Sequence, residues 1–141
     1  MSKVAVVFWS GTGNTGVMAT NVAEGAKEAG AQADVIFVSD FSADKMDEYD
    51  AIAFGCPSMG AEQLEEGEFE PVFAQCEAKL NGKKIALFGS YGWGDGEWMR
   101  NWDETCRNGL RQWFSLQLYH LRSFGTLCND VQSIADGCRF P

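Results

Sequence analysis

The fold is decided by the stretch KVAVVFWSGTGNT at residues 3–15, where an apolar run leads directly into a turn of glycine and hydroxyl residues. Residues 3–8 are short, apolar and rich in β-branched side chains, which is typical of a strand buried on both faces of a sheet. From Asn14 to Ala29 the apolar residues recur at helical spacing, and Gly30 ends the pattern. A buried strand joined by a tight turn to a helix predicts a parallel α/β sheet with this strand at its centre.

The same alternation of strand and helix repeats along the chain. Strands are predicted over 33–38, 51–55 and 85–89, and helices over 69–80 and from 98 to about 108. This alternation implies parallel pairing with right-handed crossovers. Residues 114–118 alternate as an edge strand does, and residues 131–138 allow a short last helix. No repeat or linker interrupts the pattern, so residues 1–141 are predicted to form a single domain.

Composition excludes several classes of protein. Eleven lysines and arginines against twenty aspartates and glutamates give a formal net charge of -9. This charge disfavours nucleic acid or a membrane as a partner and favours a protein with a basic surface. The five cysteines include no C-x-x-C pair, so zinc, iron–sulfur and dithiol chemistry are not indicated. The amino terminus has no signal-peptide pattern, and we therefore expect a cytoplasmic protein.

The turn after the first strand is predicted to bind a phosphate group. A helix N-terminus presents unpaired amides and the positive end of the helix dipole, and glycine lets the backbone approach an anion closely. The candidate phosphate-binding residues are Ser10, Gly11, Thr12, Gly13, Asn14 and Thr15. The turn has no lysine and lacks the Gly-Lys-Ser/Thr ending of a nucleoside triphosphate loop, so ATP or GTP hydrolysis is disfavoured. Its hydroxyl groups fit a phosphate monoester best.

The glycines of this turn also match a dinucleotide-binding pattern. Gly11, Gly13 and Gly16 have the spacing G-x-G-x-x-G, and Asp40 follows the second predicted strand. A pyrophosphate does not need so many hydroxyl groups, however, and the chain is too short for a complete dinucleotide-binding sheet with a catalytic domain. The monoester interpretation is therefore preferred.

Two further loops follow predicted strands, CPSMGAE at residues 56–62 and GSYGWGDG at residues 89–96. In an open parallel sheet the ligand crevice forms at the carboxyl ends of the strands, where both loops begin. Trp93 lies between two glycines and is predicted to be outside any helix or strand, so its indole can stack on a planar ligand. These loops therefore indicate a binding site for a planar ligand.

Four segments together closely resemble the short-chain flavodoxins of anaerobic bacteria: residues 9–15, the Met59-Gly60 turn, EFEP at 68–71 and the run at 86–96. The resemblance covers about residues 1–105, and the sequence departs from the family pattern over about 109–141. It implies a flavodoxin-like, doubly wound five-stranded parallel sheet in the order 2-1-3-4-5, with helices on both faces. It also implies one non-covalently bound FMN at the carboxyl ends of the strands.

Carried over residue by residue, the resemblance assigns the FMN phosphate to residues 10–15. Met59 and Trp93 would enclose the flavin ring, Gly60 would present its peptide to flavin N5, and Glu62 would accept a hydrogen bond from flavin N3. The ribityl chain and ring edge would contact Ser58, Ser90 and Asp95, and Gly94 completes the cofactor-binding set. Ala61 stands where the family often has an acid, and Gly16 where it has a larger residue, which affects redox tuning more than binding.

The implied function is a low-potential one-electron carrier that works as a monomer between larger, basic-surfaced redox proteins. One alternative is an FMN-dependent NAD(P)H oxidoreductase of the quinone or nitro reductase type. That enzyme needs room for a second planar substrate, which Trp93 and Met59 would close off. Another alternative is a receiver-like regulatory domain, which needs a carboxylate cluster at the strand ends and no such tryptophan.

Overall fold

The computed structural model describes residues 3–11, 13–57, 59, 64–79, 84–89, 101–102 and 104. The main elements in chain order are β1 (Lys3–Phe8), α1 (Asn14–Glu28), β2 (Gln32–Phe37), β3 (Ala51–Gly55), α2 (Phe69–Glu77) and β4 (Lys84–Phe88). Two 3₁₀ turns, Val38–Asp40 and Ala43–Glu48, connect β2 to β3. Residues 101, 102 and 104 are helical, within the helix predicted from 98 to about 108. The predicted strand at 114–118 and the short last helix lie outside the described residues.

The described strands form one parallel sheet in the order β2-β1-β3-β4. This order confirms the predicted arrangement for the first four strands. In register, Phe8 is the partner of Phe37 and of Gly55, and Gly55 is the partner of Phe88. The last residues of the four strands therefore lie side by side, and the loops that follow β1, β3 and β4 leave the sheet at one edge.

Both faces of the sheet are buried, as the continuous apolar strands predict. Alternate residues of β1 point to opposite faces, so Val4 and Val6 pack with α1 while Ala5 and Val7 pack with α2. The face covered by α1 is built mainly from small side chains, whereas the face covered by α2 is aromatic. This placement of helices confirms a doubly wound sheet.

Aromatic side chains fix α2 against the sheet. Phe54 of β3 meets Phe73 edge to face with ring centroids 5.1 Å apart, and Phe69 meets Trp102 in the same way at 5.4 Å. Each such aromatic pair contributes about 0.5–1.5 kcal/mol to stability, in addition to the contribution from burying its apolar surface. The start of α2 is therefore held firmly against the sheet. The loop that follows β3 leads into this helix.

The predicted bounds of two strands were wrong by one residue at each end, because β2 is Gln32–Phe37 and β4 is Lys84–Phe88. The second strand was expected to include Val38, but β2 ends at Phe37 and Val38 begins a 3₁₀ turn. The partner strand β1 ends at Phe8, opposite Phe37, so Val38 has no ladder partner. Its backbone turns instead, with Phe41 N donating to Val38 O at 3.1 Å, and its side chain is buried in the core on the α2 face.

Candidate functional site

The start of α1 has the geometry of an anion site. Gly13 occupies the position before the helix with φ 100° and ψ -16°, a left-handed conformation that glycine adopts without strain. Its N–H donates to Ser10 Oγ at 3.1 Å, and its carbonyl accepts from Val17 N at 3.0 Å. Gly13 has no side chain with which to cap α1, and no acid lies in the first turn of the helix. The positive end of the helix dipole is therefore not neutralised by a carboxylate of its own first turn.

Thr15 and Gly11 complete the described part of this turn. Thr15 is only 1% exposed, which places a hydroxyl-bearing side chain at the base of the turn. A Cβ added to Gly11 would lie 2.9 Å from Cη2 of Trp9, so the indole packs directly on the glycine backbone. The sequence explains Gly11 by close approach to an anion, and it does not show this second reason for a glycine. Only the spacing of a tryptophan two residues before a glycine could have indicated it.

The Met59 loop begins at Cys56, the first residue after β3. Cys56 N donates to Phe88 O at 3.1 Å, which extends the β3–β4 pairing by one residue. Its thiol is buried, and burial raises the pKa of Cys56 to about 12, with the charge of Glu65 adding to the rise and a backbone hydrogen bond from Glu65 opposing it. The thiol is therefore protonated at neutral pH. Met59 is partly buried, and the structure places it after the carboxyl end of β3, as the sequence predicted.

Glu65 caps the start of α2. Its carboxylate accepts hydrogen bonds from the backbone N–H groups of Gly67 at 2.6 Å, Glu68 at 2.8 Å and Phe69 at 2.8 Å. Burial would raise the pKa of Glu65, but these three hydrogen bonds together outweigh it, and the pKa is lowered. This role of Glu65 is not visible in the sequence. The sequence shows a negative charge at Glu65, four residues before the first residue of α2, but it does not show the direction in which the carboxylate points.

We expect Glu65→Gln to reduce the free energy of unfolding by about 1–2 kcal/mol at pH 7, the range for a helix cap with charge-assisted hydrogen bonds. The pKa of Glu65 is lower in the folded state, so this stabilisation is fully present above the ordinary pKa of glutamate. It is lost as the pH falls through the lower, folded-state value. Urea unfolding of the wild type and of Glu65→Gln, measured from pH 7 down to pH 3, should show that their unfolding free energies converge.

Glu66→Gln is the matched control for this prediction. Glu66 is the exposed neighbour of Glu65, and the substitution removes the same charge without touching the cap. We expect its unfolding free energy to stay within about 0.5 kcal/mol of wild type. Equal losses in the two variants would show that net charge, and not the cap, is responsible.

The remaining predicted site residues lie outside the described residues. They are Thr12, Ser58, Gly60, Glu62, Ser90, Trp93, Gly94 and Asp95. Asn14 is the first residue of α1, and only its backbone is described. What the structure brings together is the start of each candidate loop: Ser10 after β1, Cys56 after β3 and Gly89 after β4 share one edge of the sheet.

The described part of the chain contains neither a metal-binding cluster nor a membrane-spanning helix. No group of three or more His, Cys, Asp or Glu side chains there could hold a metal ion. Among the described residues, no helix has both the length and the apolar character needed to cross a membrane.

Comparison with known proteins gives consistent matches. The family model described as Flavodoxin matches residues 6–112. The chain is 52% identical over 99 residues to a flavodoxin of Clostridium beijerinckii, covering 70% of this chain and 72% of that protein. It is 48% identical over 105 residues to a flavodoxin of Megasphaera elsdenii, covering 74% and 77% respectively. The solution structure of the two-electron reduced Megasphaera elsdenii flavodoxin superposes with a TM-score of 0.86 over 96% of this chain and 99% of that chain, at 36% identity.

Proposed function

The chain belongs to the flavodoxin family of flavin-dependent electron-transfer proteins, and from this we propose that it binds one FMN non-covalently and carries single electrons at low potential. FMN supplies the one-electron redox chemistry when it is bound. The protein supplies the phosphate site, the enclosure of the ring and the charges that tune the potential. The observation that carries the proposal is the start of α1, which follows β1 through a left-handed glycine and has no acid in its first turn.

The phosphate is assigned to residues 10–15. Backbone amides at the start of a 15-residue helix, a hydroxyl at Ser10 that already orders the Gly13 amide, and the buried Thr15 support this assignment. A phosphate monoester carries nearly two negative charges and strong acceptor oxygens, which suit donors of this kind. Thr12 and Asn14 are included from the sequence.

The flavin ring is assigned to the loops that follow β3 and β4. Met59 and Trp93 would enclose the ring, with Gly60 and Glu62 toward its N5 and N3 atoms. Ser58, Ser90, Gly94 and Asp95 are proposed for the ribityl chain and the ring edge. The shared edge of the sheet from which these loops leave supports the assignment. Gly60 contributes backbone freedom, because a glycine carbonyl can change direction with little steric cost.

Acidic residues around this edge are proposed to lower the potential. A unit negative charge about 10 Å from an added electron disfavours it by roughly 1.7 kcal/mol at an effective dielectric of about 20. Exposed carboxylates at Glu66, Glu68 and Glu70 surround the start of α2, directly after the Met59 loop. With the net charge of -9, they also support docking to redox proteins with basic surfaces.

The net charge and the cysteine thiols support a monomer that works in the cytoplasm. Strong net charge opposes self-association. Cys56 and Cys76 have free, buried thiols, as is typical of proteins in a reducing compartment. Sedimentation of the purified protein, with and without FMN, measures the oligomeric state, and a stable dimer would contradict this part of the proposal.

Anaerobic reduction of the FMN complex tests the carrier function. We expect a yellow protein that takes up electrons in two resolved one-electron steps on titration with dithionite and that does not oxidise NAD(P)H in the presence of a quinone. Steady NAD(P)H oxidation would favour the oxidoreductase alternative. A chain that remains colourless with FMN would favour the regulatory alternative.

A further inference from the structure

The Met59 loop is tied at its base by one side chain. Cys56 Sγ accepts a hydrogen bond from Glu65 N at 3.3 Å and lies 3.5 Å from Pro57 O, to which its S–H donates. Cys56, the first residue of the loop, precedes residues 57–64, and Glu65 follows them. The hydrogen bond to the thiol therefore joins the two ends of the loop that contains Met59 and Gly60.

Both ends of this connection are anchored in the fold. On one side, Cys56 is fully buried and is fixed to β4 by its hydrogen bond to Phe88. On the other side, the Glu65 carboxylate is fixed to the first amides of α2, including that of the buried Phe69. Glu65 O also accepts from Glu70 N at 2.9 Å. The sheet edge and the start of α2 are thus joined through Cys56 Sγ and the backbone of Glu65.

We propose that Cys56 and Glu65 form a clasp that positions the Met59-Gly60 turn, making both of them positioning residues for the flavin site. This inference rests on the proposed function. A loop whose ends are held at a fixed separation has fewer conformations to lose when it orders around a ligand. The thiol suits this role because it can accept one hydrogen bond and donate another, and its raised pKa keeps it neutral.

The consequence for redox chemistry follows from Gly60. Its proposed peptide contact with flavin N5 favours uptake of the first electron, so a loop that is held less firmly should lower the potential of that step. If the affinity for the one-electron reduced flavin falls tenfold relative to the affinity for the oxidised flavin, the potential of that step falls by about 59 mV. Loss of the bond also leaves the Glu65 amide without this acceptor.

Three variants at two cysteines test the clasp. Cys56→Ala removes the acceptor, Cys56→Ser restores an acceptor and donor of similar size, and Cys76→Ala is the matched control. Cys76 is fully buried in the same core as Cys56 but lies within α2, away from the loop. Both alanine variants therefore leave a similar cavity, and only one of them breaks the connection.

The first measurement uses protein without FMN. Amide hydrogen exchange followed by NMR should show the Glu65 amide exchanging about tenfold faster in Cys56→Ala, the size of effect expected for one lost hydrogen bond. Cys56→Ser and Cys76→Ala should stay near the wild-type rate. A Glu65 amide that exchanges at the wild-type rate in Cys56→Ala would overturn the clasp.

The second measurement uses the FMN complex. We expect Cys56→Ala to weaken FMN binding about tenfold and to lower the first midpoint potential by up to about 59 mV. Cys56→Ser and Cys76→Ala should match wild type in both. A potential in Cys56→Ala equal to that of Cys76→Ala would overturn the positioning role. Failure of the wild-type chain to bind FMN would overturn the proposed function and this role with it. Because the exchange rates are measured without FMN, they test the bond between Cys56 and Glu65 separately from the proposed function.

Discussion

Replacing Gly13 by alanine is expected to raise the FMN dissociation constant about five- to thirtyfold. Gly13 has φ 100°, and a Cβ in the left-handed region is unfavourable by about 1–2 kcal/mol. A Cβ there would meet nothing within 4 Å, so the effect comes from backbone strain and not from a clash. If the backbone relaxes to negative φ, its N–H leaves Ser10 Oγ and the amides at the start of α1 are rearranged. FMN must then restore the strained turn when it binds.

Gly30→Ala is the matched control. Gly30 has φ 92° and also has nothing within 4 Å of an added Cβ, but it lies after the other end of α1. The substitution therefore introduces the same kind of strain far from the strand ends. We expect a comparable loss of unfolding free energy in the two variants, with FMN affinity unchanged in Gly30→Ala. Fluorescence titration with FMN measures the affinities. Equal FMN affinity in Gly13→Ala and Gly30→Ala would contradict the assignment of the phosphate to this turn.

Gly55→Ala is expected to produce the largest loss of stability among the glycine substitutions, about 2–3 kcal/mol. Gly55 is the last residue of β3, beside Phe88 in the sheet, and an added Cβ would overlap the Phe88 ring. Phe88 is buried between the sheet and α1, so the ring has little space to move. Overpacking of this kind in a close-packed core typically destabilises a protein by 1–3 kcal/mol. Urea unfolding should show a lower midpoint with an unchanged m-value.

Two further variants separate the clash from a general effect of alanine. In Gly16→Ala the added Cβ would lie 3.5 Å from Phe8 Cε2, an ordinary contact. Because Gly16 lies inside α1, this variant should gain about 0.5–1 kcal/mol. In a Phe88→Ala background, Gly55→Ala should lose most of its effect, since the two sites are coupled. A Gly55→Ala protein as stable as wild type would show that the Phe88 ring can move aside.

The parts of the fold that follow from local pattern could be predicted from the sequence. Residues 4–8 are apolar at every position because both faces of the strand are covered, and this pattern alone indicated a central strand. The turn after it was identified from glycines and hydroxyl residues next to a helix start. These features depend on residues that are neighbours in the chain.

The features that could not be predicted depend on segments that meet only in the folded chain. The sequence shows the charge of Glu65 but not its hydrogen bonds to the backbone amides at the start of α2. The bond from Glu65 N to Cys56 Sγ spans nine residues, and nothing in the spacing of a lone cysteine indicates it. The packing of Trp9 on Gly11 likewise depends on the direction of the Trp9 side chain, which the sequence does not show.

The central claim is that the turn between β1 and α1 holds the phosphate of FMN without a lysine. Titration of the purified chain with FMN and, in parallel, with riboflavin tests it most directly, because the two ligands differ only in the phosphate. We predict one FMN per chain with quenched flavin fluorescence, and riboflavin binding at least about tenfold weaker, since charge-assisted hydrogen bonds to the phosphate contribute more than 1.4 kcal/mol. A chain that stays colourless with excess FMN, or that binds riboflavin equally well, would contradict the claim.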